Sequence, residues 1–366
     1  MSYATDTLSS LAAVAPGSDL AAAREVRDAA THNTAQSEKA LFDGPSGLSR
    51  QERLALAVQV AGWLHEEQLS AYYRTLLQSL TPQSTPRLGA ALAHAETLTF
   101  HPVRADAEGL NDLKKHGFSP EEIVTLSQII AFVSFQSRLI RGLRLINGES
   151  VAGTTGNALA GEWHTQSSTR DGRAAPVAFT AQELGWTPWL AAKPYAEFSR
   201  DEQATLTRFG HHDSDYFRLL GRNLPVLEAR TLTDKGIFYT AGGLPRAERE
   251  LAATVASKVN GCIYCASVHA RKAGQLSKQP EAIAQLLAVA PGESLSQGQN
   301  ARWQAEIDFA AALSATPPTA GATHLSALRE QGLDTLELLD LVQSTAFFAW
   351  ANRLMLTLGE PYLPEA

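Results

Sequence analysis

Apolar positions in this chain recur three and four apart almost throughout, which is the stripe of an amphipathic helix. From Leu48 the run LSRQERLALAVQVAGWLHEEQLSAYYRTLLQSL keeps that spacing for one or two helices. Ser49 followed three residues later by Glu52 is the spacing of a capping box, so a helix opens there. RLGAALAHAETLTF is helical again after a proline-containing turn at 81–86. Ser119-Pro120-Glu121-Glu122 starts a further helix, and its run LSQIIAFVSFQSRLIRGLRLI is apolar on more than one side, which predicts burial. Near the N-terminus a helix is expected from about Ser18 to Ala30, capped by Ser18 or Asp19. From Arg200 onward the helical pattern resumes, with loops around 290–292 and at 315–324 separating the last helices. No period-2 runs or hairpin signals stand out, so the fold class is all-α.

Between these helical stretches the character changes. VAGTTGNALAGEWHTQSSTRDGRAAP, at 151–176, is rich in Gly, Thr and Ser and has no apolar period, as a linker or surface loop would be. Residues 177–200, with Pro188, Pro194 and several aromatics, look irregular but partly packed. We therefore divide the chain into a helical domain at 1–150, a linker and irregular segment at 151–200, and a second helical domain at 201–366.

The two helical parts repeat each other. Leu48, Arg50, Glu52 and Arg53 match Leu244, Arg246, Glu248 and Arg249 at an offset of 196 residues, and Phe42 and Gly47 match Phe238 and Gly243. Further on, Gln128, Ala131, Phe132, Arg138 and Leu139 match Gln343, Ala346, Phe347, Arg353 and Leu354 at an offset of 215. Two ordered blocks of agreement indicate an internally duplicated bundle, with its halves packed through the helices of Phe132 and Phe347. Arg138 and Arg353, present in both copies, are expected to serve the scaffold, for example by pairing with a buried carboxylate.

Composition narrows the function classes. A formal charge of −7 and a pI near 5.8 give no reason to expect a nucleic acid or an anionic membrane as partner. The N-terminus lacks a basic stretch followed by an apolar core, and no apolar run approaches ~20 residues, so a cytoplasmic location is expected. No flavin, haem or nicotinamide signature is visible, and no cofactor is expected.

The candidate chemistry is concentrated in LPRAERELAATVASKVNGCIYCASVHARKAGQL, at 244–276. Cys262 and Cys265, the chain's two cysteines, are three apart, and His269 follows four residues later. On a helix opening near Cys262 all three would share one narrow stripe. Asn260-Gly261 reads as the break before that helix. A thiol at a helix N-terminus is favoured as thiolate by the dipole, and His269, one turn after Cys265, is placed to take its proton. Glu250, on the preceding amphipathic segment, could face the thiols if the two helices pack; the simpler alternative pairs it with Arg246 one turn before. Tyr264 is either a core aromatic or a hydroxyl lining the site. Three ligands and a conceivable fourth leave a zinc site open beside the redox dithiol. His211-His212 reads as a capping loop, and Phe347, Phe348 and Trp350 as core that could also wall an apolar pocket. At the first offset Glu250, Cys262, Cys265 and His269 stand opposite Leu54, Glu66, Leu69 and Tyr73. One copy therefore carries the chemistry and the other supplies packing surface.

The pattern Glu250…Cys262-x-x-Cys265-x-x-x-His269, within R-x-x-R-E-L-A…V-N-G-C-x-Y-C-x-x-x-H, resembles the AhpD-like and carboxymuconolactone decarboxylase superfamily. It is most similar to the peroxidase-related members, some of them two-domain. The sharp motif covers about 25 residues, and the repeated helices extend the likeness over most of the chain. The resemblance implies an all-α AhpD-like bundle, homo-oligomers and thiol-dependent reduction of a hydroperoxide. Carried over, Cys265 is the sulfur that peroxide oxidises, Cys262 resolves it as a disulfide, and Glu250 and His269 relay protons. An external dithiol of thioredoxin or lipoyl type would reopen the disulfide. The likeness departs at Tyr264, where AhpD has a second histidine. Alternatives are a protein disulfide shuttle and a redox-sensing or zinc-binding interaction protein. Lactone decarboxylation is less favoured, since the decarboxylase proper does not use the cysteine pair.

Overall fold

The computed structural model describes residues 6–149, 151, 153 and 159–365. Parts of the predicted linker, at 152 and 154–158, and the first five residues lie outside them. Helices dominate the described chain. The principal ones are α1 (Asp28–Phe42), α2 (Arg50–Trp63), α3 (Glu67–Gln78), α4 (Leu88–Phe100), α5 (Pro120–Ile146), α6 (Leu224–Phe238), α7 (Arg246–Asn260), α8 (Ile263–Ser277), α9 (Ala301–Ser314) and α10 (Thr335–Leu358). The predicted capping boxes are formed: Ser49 with Glu52 opens α2, and Ser119 with Glu122 opens α5. At the N-terminus the expected single helix is two, Asp19–Val26 and α1, broken at Arg27. Ser18 caps the first by accepting from the Ala21 N–H at 3.2 Å.

The centre of the molecule is the antiparallel packing of α5 on α10. Phe132 meets the Trp350 ring at 4.9 Å, and Phe135 meets Phe347 at 6.2 Å. The partners are exchanged between the repeats, because Phe132 and Phe347, like Phe135 and Trp350, are equivalent at the 215-residue offset. The same exchange governs the buried arginines. Arg138 donates to the Ser314 carbonyl at 3.2 Å, and Arg353 donates to that of Thr99, its counterpart, at 2.9 Å. Among the described residues neither meets a carboxylate, contrary to the sequence expectation. Each closes the open carbonyl end of the other copy's helix, where backbone acceptors lack intrahelical partners.

Other contacts recur within each copy. Arg53 donates to the carbonyls of Leu41 and Gly44, and Arg249 to those of Ile237 and Thr240, every partner 196 residues on. Arg87 joins Glu52 and Glu122, while Arg302 joins Glu248 and Glu337. The duplication thus extends to the polar contacts that fix the loops between helices.

Three features bear on the sequence-based expectations. A two-stranded antiparallel ribbon pairs β1 (Gly185–Pro188) with β2 (Gly359–Tyr362). Its four-residue strands are too short to show an alternation, and their pairing joins segments far apart in sequence. The described part of the expected linker is also packed: Gly161 N–H bonds to Lys258 O, and the Lys258 ammonium lies 4.8 Å from the Trp163 ring centroid and 4.3 Å from that of Phe179. Finally, among the described residues α5 is long and apolar enough to cross a membrane by length and composition, but that stretch is wholly buried in the protein. Its polar residues find protein partners there: Gln128 accepts from the Trp350 indole at 2.7 Å, and Gln136 from the Tyr73 hydroxyl at 2.7 Å.

Candidate active site

The site is built on the tight corner between α7 and α8. Gly261 ends α7 with φ at +77°, a left-handed conformation that glycine adopts without strain. A side chain there would also run into Glu162 O, at 2.3 Å from an added Cβ. This turn sets Cys262 as the N-cap of α8, with its N–H bonded to Ser257 O at 2.9 Å. Cys265 and His269 follow on α8, one turn apart. Both cysteines are free and buried.

The two thiols lie close enough to influence each other, but their surroundings differ. Burial pushes the Cys262 thiol well above its ordinary pKa, and the Cys265 side chain pushes the same way; the Cys265 N–H and Asn352 oppose this without reversing it. At Cys262, then, burial works against the thiolate that a helix N-terminus favours. Asn352, from α10, braces the corner. Its amide donates to Ser257 Oγ at 3.0 Å, and its carbonyl accepts from Asn260 Nδ2 at 3.0 Å.

Glu250 lies fully buried on α7 and faces α8, as amphipathic packing of the two helices requires. One carboxylate oxygen takes the Arg246 Nε–H at 2.7 Å, and the other is hydrogen-bonded with His269 Nδ1. Glu250 thus pairs with Arg246, as the simpler expectation had it, and with His269 as well. Burial alone would raise this carboxyl, but the His269 bond and charge, with Arg246, outweigh it and hold its pKa below the ordinary value. With Nδ1 engaged by a carboxylate, Nε2 is the ring nitrogen left for proton transfer. The ring is wedged edge-on against Phe348, centroids 4.4 Å apart.

Cys265 and His269 line one cavity of about 260 Å³, together with Phe238, Phe347, Phe348 and Met355. Cys262 lines a different cavity, of about 650 Å³, whose walls include Trp163, Trp186 and Trp189. Tyr264 and Met355 line both and form the partition between them. The segment expected to be a linker therefore builds the second cavity. Trp350 stays in the core, while His211, expected in a capping loop, is buried with its ring stacked 3.6 Å from Phe217 and lines the Cys265 cavity. Among the described residues no group of three or more His, Cys, Asp or Glu side chains gathers as a metal site.

Sequence reasoning missed Arg230 and Asp234 of α6, Tyr216 and Asn352. Arg230, Asp234 and Tyr216 line the Cys265 cavity. The repeat held a signal for some of them: Arg230 stands opposite Thr34 and Asn352 opposite Ser137, the same one-sidedness that marks the thiols.

Comparison with known proteins places a family on this region. Residues 225–307 match the pattern described as the carboxymuconolactone decarboxylase family, a span that contains Arg230, Glu250, both cysteines and His269. No curated protein gives a significant match. Among solved structures, a protein from Ralstonia eutropha JMP134, described as an alkylhydroperoxidase AhpD core and uncharacterized peroxidase-related protein, shares 22% identity. The match covers 46% of this chain and 88% of that one, with a TM-score of 0.39. An uncharacterized peroxidase-related protein from Silicibacter sp. TM1040 shares 25% identity over 44% of this chain and 86% of its own, with a TM-score of 0.37.

Proposed function

The chain is a relative of the carboxymuconolactone decarboxylase family through residues 225–307, and from that premise we propose that it is a thiol-dependent hydroperoxide reductase. The observation that carries this reading is the pair of free thiols, one of which shares a cavity with a carboxylate-held histidine.

Chemically, His269 Nε2 takes the Cys265 proton, and the thiolate attacks the distal peroxide oxygen. The O–O bond breaks, an alcohol leaves with the proton returned by His269, and Cys265 becomes a sulfenic acid. Cys262 then attacks that sulfur, releasing water and closing the disulfide. Its raised pKa disfavours Cys262 as the first nucleophile. An external dithiol, entering through the larger cavity on the Cys262 side, reduces the disulfide and leaves as its own disulfide. Glu250 keeps the imidazole in the competent tautomer and stabilises its cationic form.

A disulfide shuttle acting on another protein uses the same sulfurs, but a walled cavity at Cys265 suits a small molecule better than a protein thiol. The test is consumption of an organic hydroperoxide in the presence of a dithiol donor. Turnover that vanishes in Cys265→Ser supports the reductase; dithiol-dependent reduction of a protein disulfide without peroxide turnover supports the shuttle instead.

A further inference from the structure

The Cys265 cavity holds two buried donors that the protein leaves unanswered. Arg230 is only 6% exposed, and its Nε has no hydrogen-bond partner. Among the described residues no ion pair engages its guanidinium; the group rests against the faces of Phe347, at 5.0 Å, and Trp350, at 5.6 Å. Tyr216, whose hydroxyl is likewise buried without a partner, lines the same cavity. Burial raises its pKa, which keeps the proton on the oxygen and keeps the hydroxyl a donor.

Aromatic faces offset part of the cost of burying a cation. They do not supply the lone pairs that a guanidinium needs once water is removed. Asp234, one turn after Arg230, lines the cavity as well. Burial raises its carboxyl, against the pull of Arg230 and His269, and among the described residues no hydrogen bond or ion pair joins it to the arginine. Arg246 is already committed to Glu250 and to the Phe238 carbonyl. With Arg230 and Lys272 set against the one carboxylate of the lining, Asp234, cations outnumber anions around the cavity. The equivalent position in the other repeat is Thr34, so the arginine belongs to the copy that carries the thiols.

We propose that Arg230 and Tyr216 form a recognition site for an anionic oxygen group, and that the substrate of the Cys265 cavity is a small organic hydroperoxide bearing a carboxylate. The substrate class rests on the peroxide reading above; the anion site does not. A carboxylate presents two acceptors to the planar fork of an arginine, a match that lysine does not reproduce. Anchored there, a short molecule keeps its other end within the cavity that Cys265 and His269 line. A volume of about 260 Å³ lies below the usual ~300–1,000 Å³ of ligand pockets, which favours small acids over long acyl chains.

Two measurements on the reduced full-length protein test this. In the first, hexanoate and its neutral counterpart hexanamide are titrated calorimetrically into wild type, Arg230→Met, Arg230→Lys and Tyr216→Phe. Wild type binds hexanoate more tightly, Arg230→Met loses the preference, and Arg230→Lys, which keeps the charge and protects folding, retains only part of it. In the second, a short hydroperoxyalkanoate is compared with its methyl ester. Arg230→Met lowers kcat/KM for the acid by about 10- to 100-fold, as loss of a charge-assisted hydrogen bond does, and leaves the ester nearly unchanged. Equal loss on both peroxides, or no preference for hexanoate in wild type, overturns the proposal. Binding of hexanoate that depends on Arg230, with neither peroxide consumed, upholds the anion site and overturns the peroxide reading.

Discussion

At the residue scale the account turns on which atom moves the proton. His269 Nδ1 is taken by Glu250 and the ring lines the Cys265 cavity, so His269→Ala should slow sulfenic acid formation by about 10²–10⁴-fold. Stopped-flow peroxide reduction under single-turnover conditions checks this, and both thiols should remain titratable in the variant. Glu250→Gln should have a smaller effect in the same direction, since the amide can hold the ring but not stabilise its cation. Glu250 and His269 could be singled out from the sequence because the α7–α8 spacing brings them to one face. Arg230 and Tyr216 could not, since they come from other segments and converge only through packing. Cys262 shows the opposite limit: helix position favours a thiolate, and the burial that works against it comes from tertiary structure.

At the element scale, buried charge holds the corners together. Asp340 of α10 is fully buried and accepts from Arg27 at 2.6 Å, from Arg249 at 3.0 Å and from the Leu244 N–H at 2.9 Å. Asp340→Asn should cost about 3–5 kcal/mol of stability, because it strands two buried guanidinium groups; urea unfolding measures it. His94 of α4 gives a pH signature. Burial lowers its pKa from 6.5 to about 4, and its ring meets Thr357 Oγ1 at 3.2 Å. The unfolded chain binds the proton more readily, so stability is full above about pH 6.5 and falls as pH drops toward 4. His94→Gln should flatten that acid slope in thermal melts between pH 4.5 and 7. Capping boxes and helix stripes were legible at this scale because they are local. The β1–β2 ribbon was not, since its register depends on chain segments about 170 residues apart.

At the scale of the whole molecule, the duplication was readable because matched residues recur in order. What the sequence did not show is that the copies exchange partners, as Arg138 and Arg353 do across the α5–α10 contact. We propose that residues 1–150 and 201–366 are the two domains in evolutionary terms, but that they unfold as one unit. Calorimetry of the intact chain should give a single transition. Residues 201–366 expressed alone should not remain a folded monomer, because Phe347 and Trp350 would lose α5; two separated transitions would contradict this. We further propose a homo-oligomer, which light scattering on the full chain tests directly. The central claim, that Cys265 reacts first and Cys262 resolves, is most directly tested by intact mass and thiol titration after one equivalent of organic hydroperoxide. Wild type should lose both titratable thiols and the mass of two hydrogens, and Cys262→Ser should gain one oxygen on Cys265. Two intact thiols in wild type, or an oxygen gained by Cys265→Ser while Cys262→Ser stays unreacted, would contradict it.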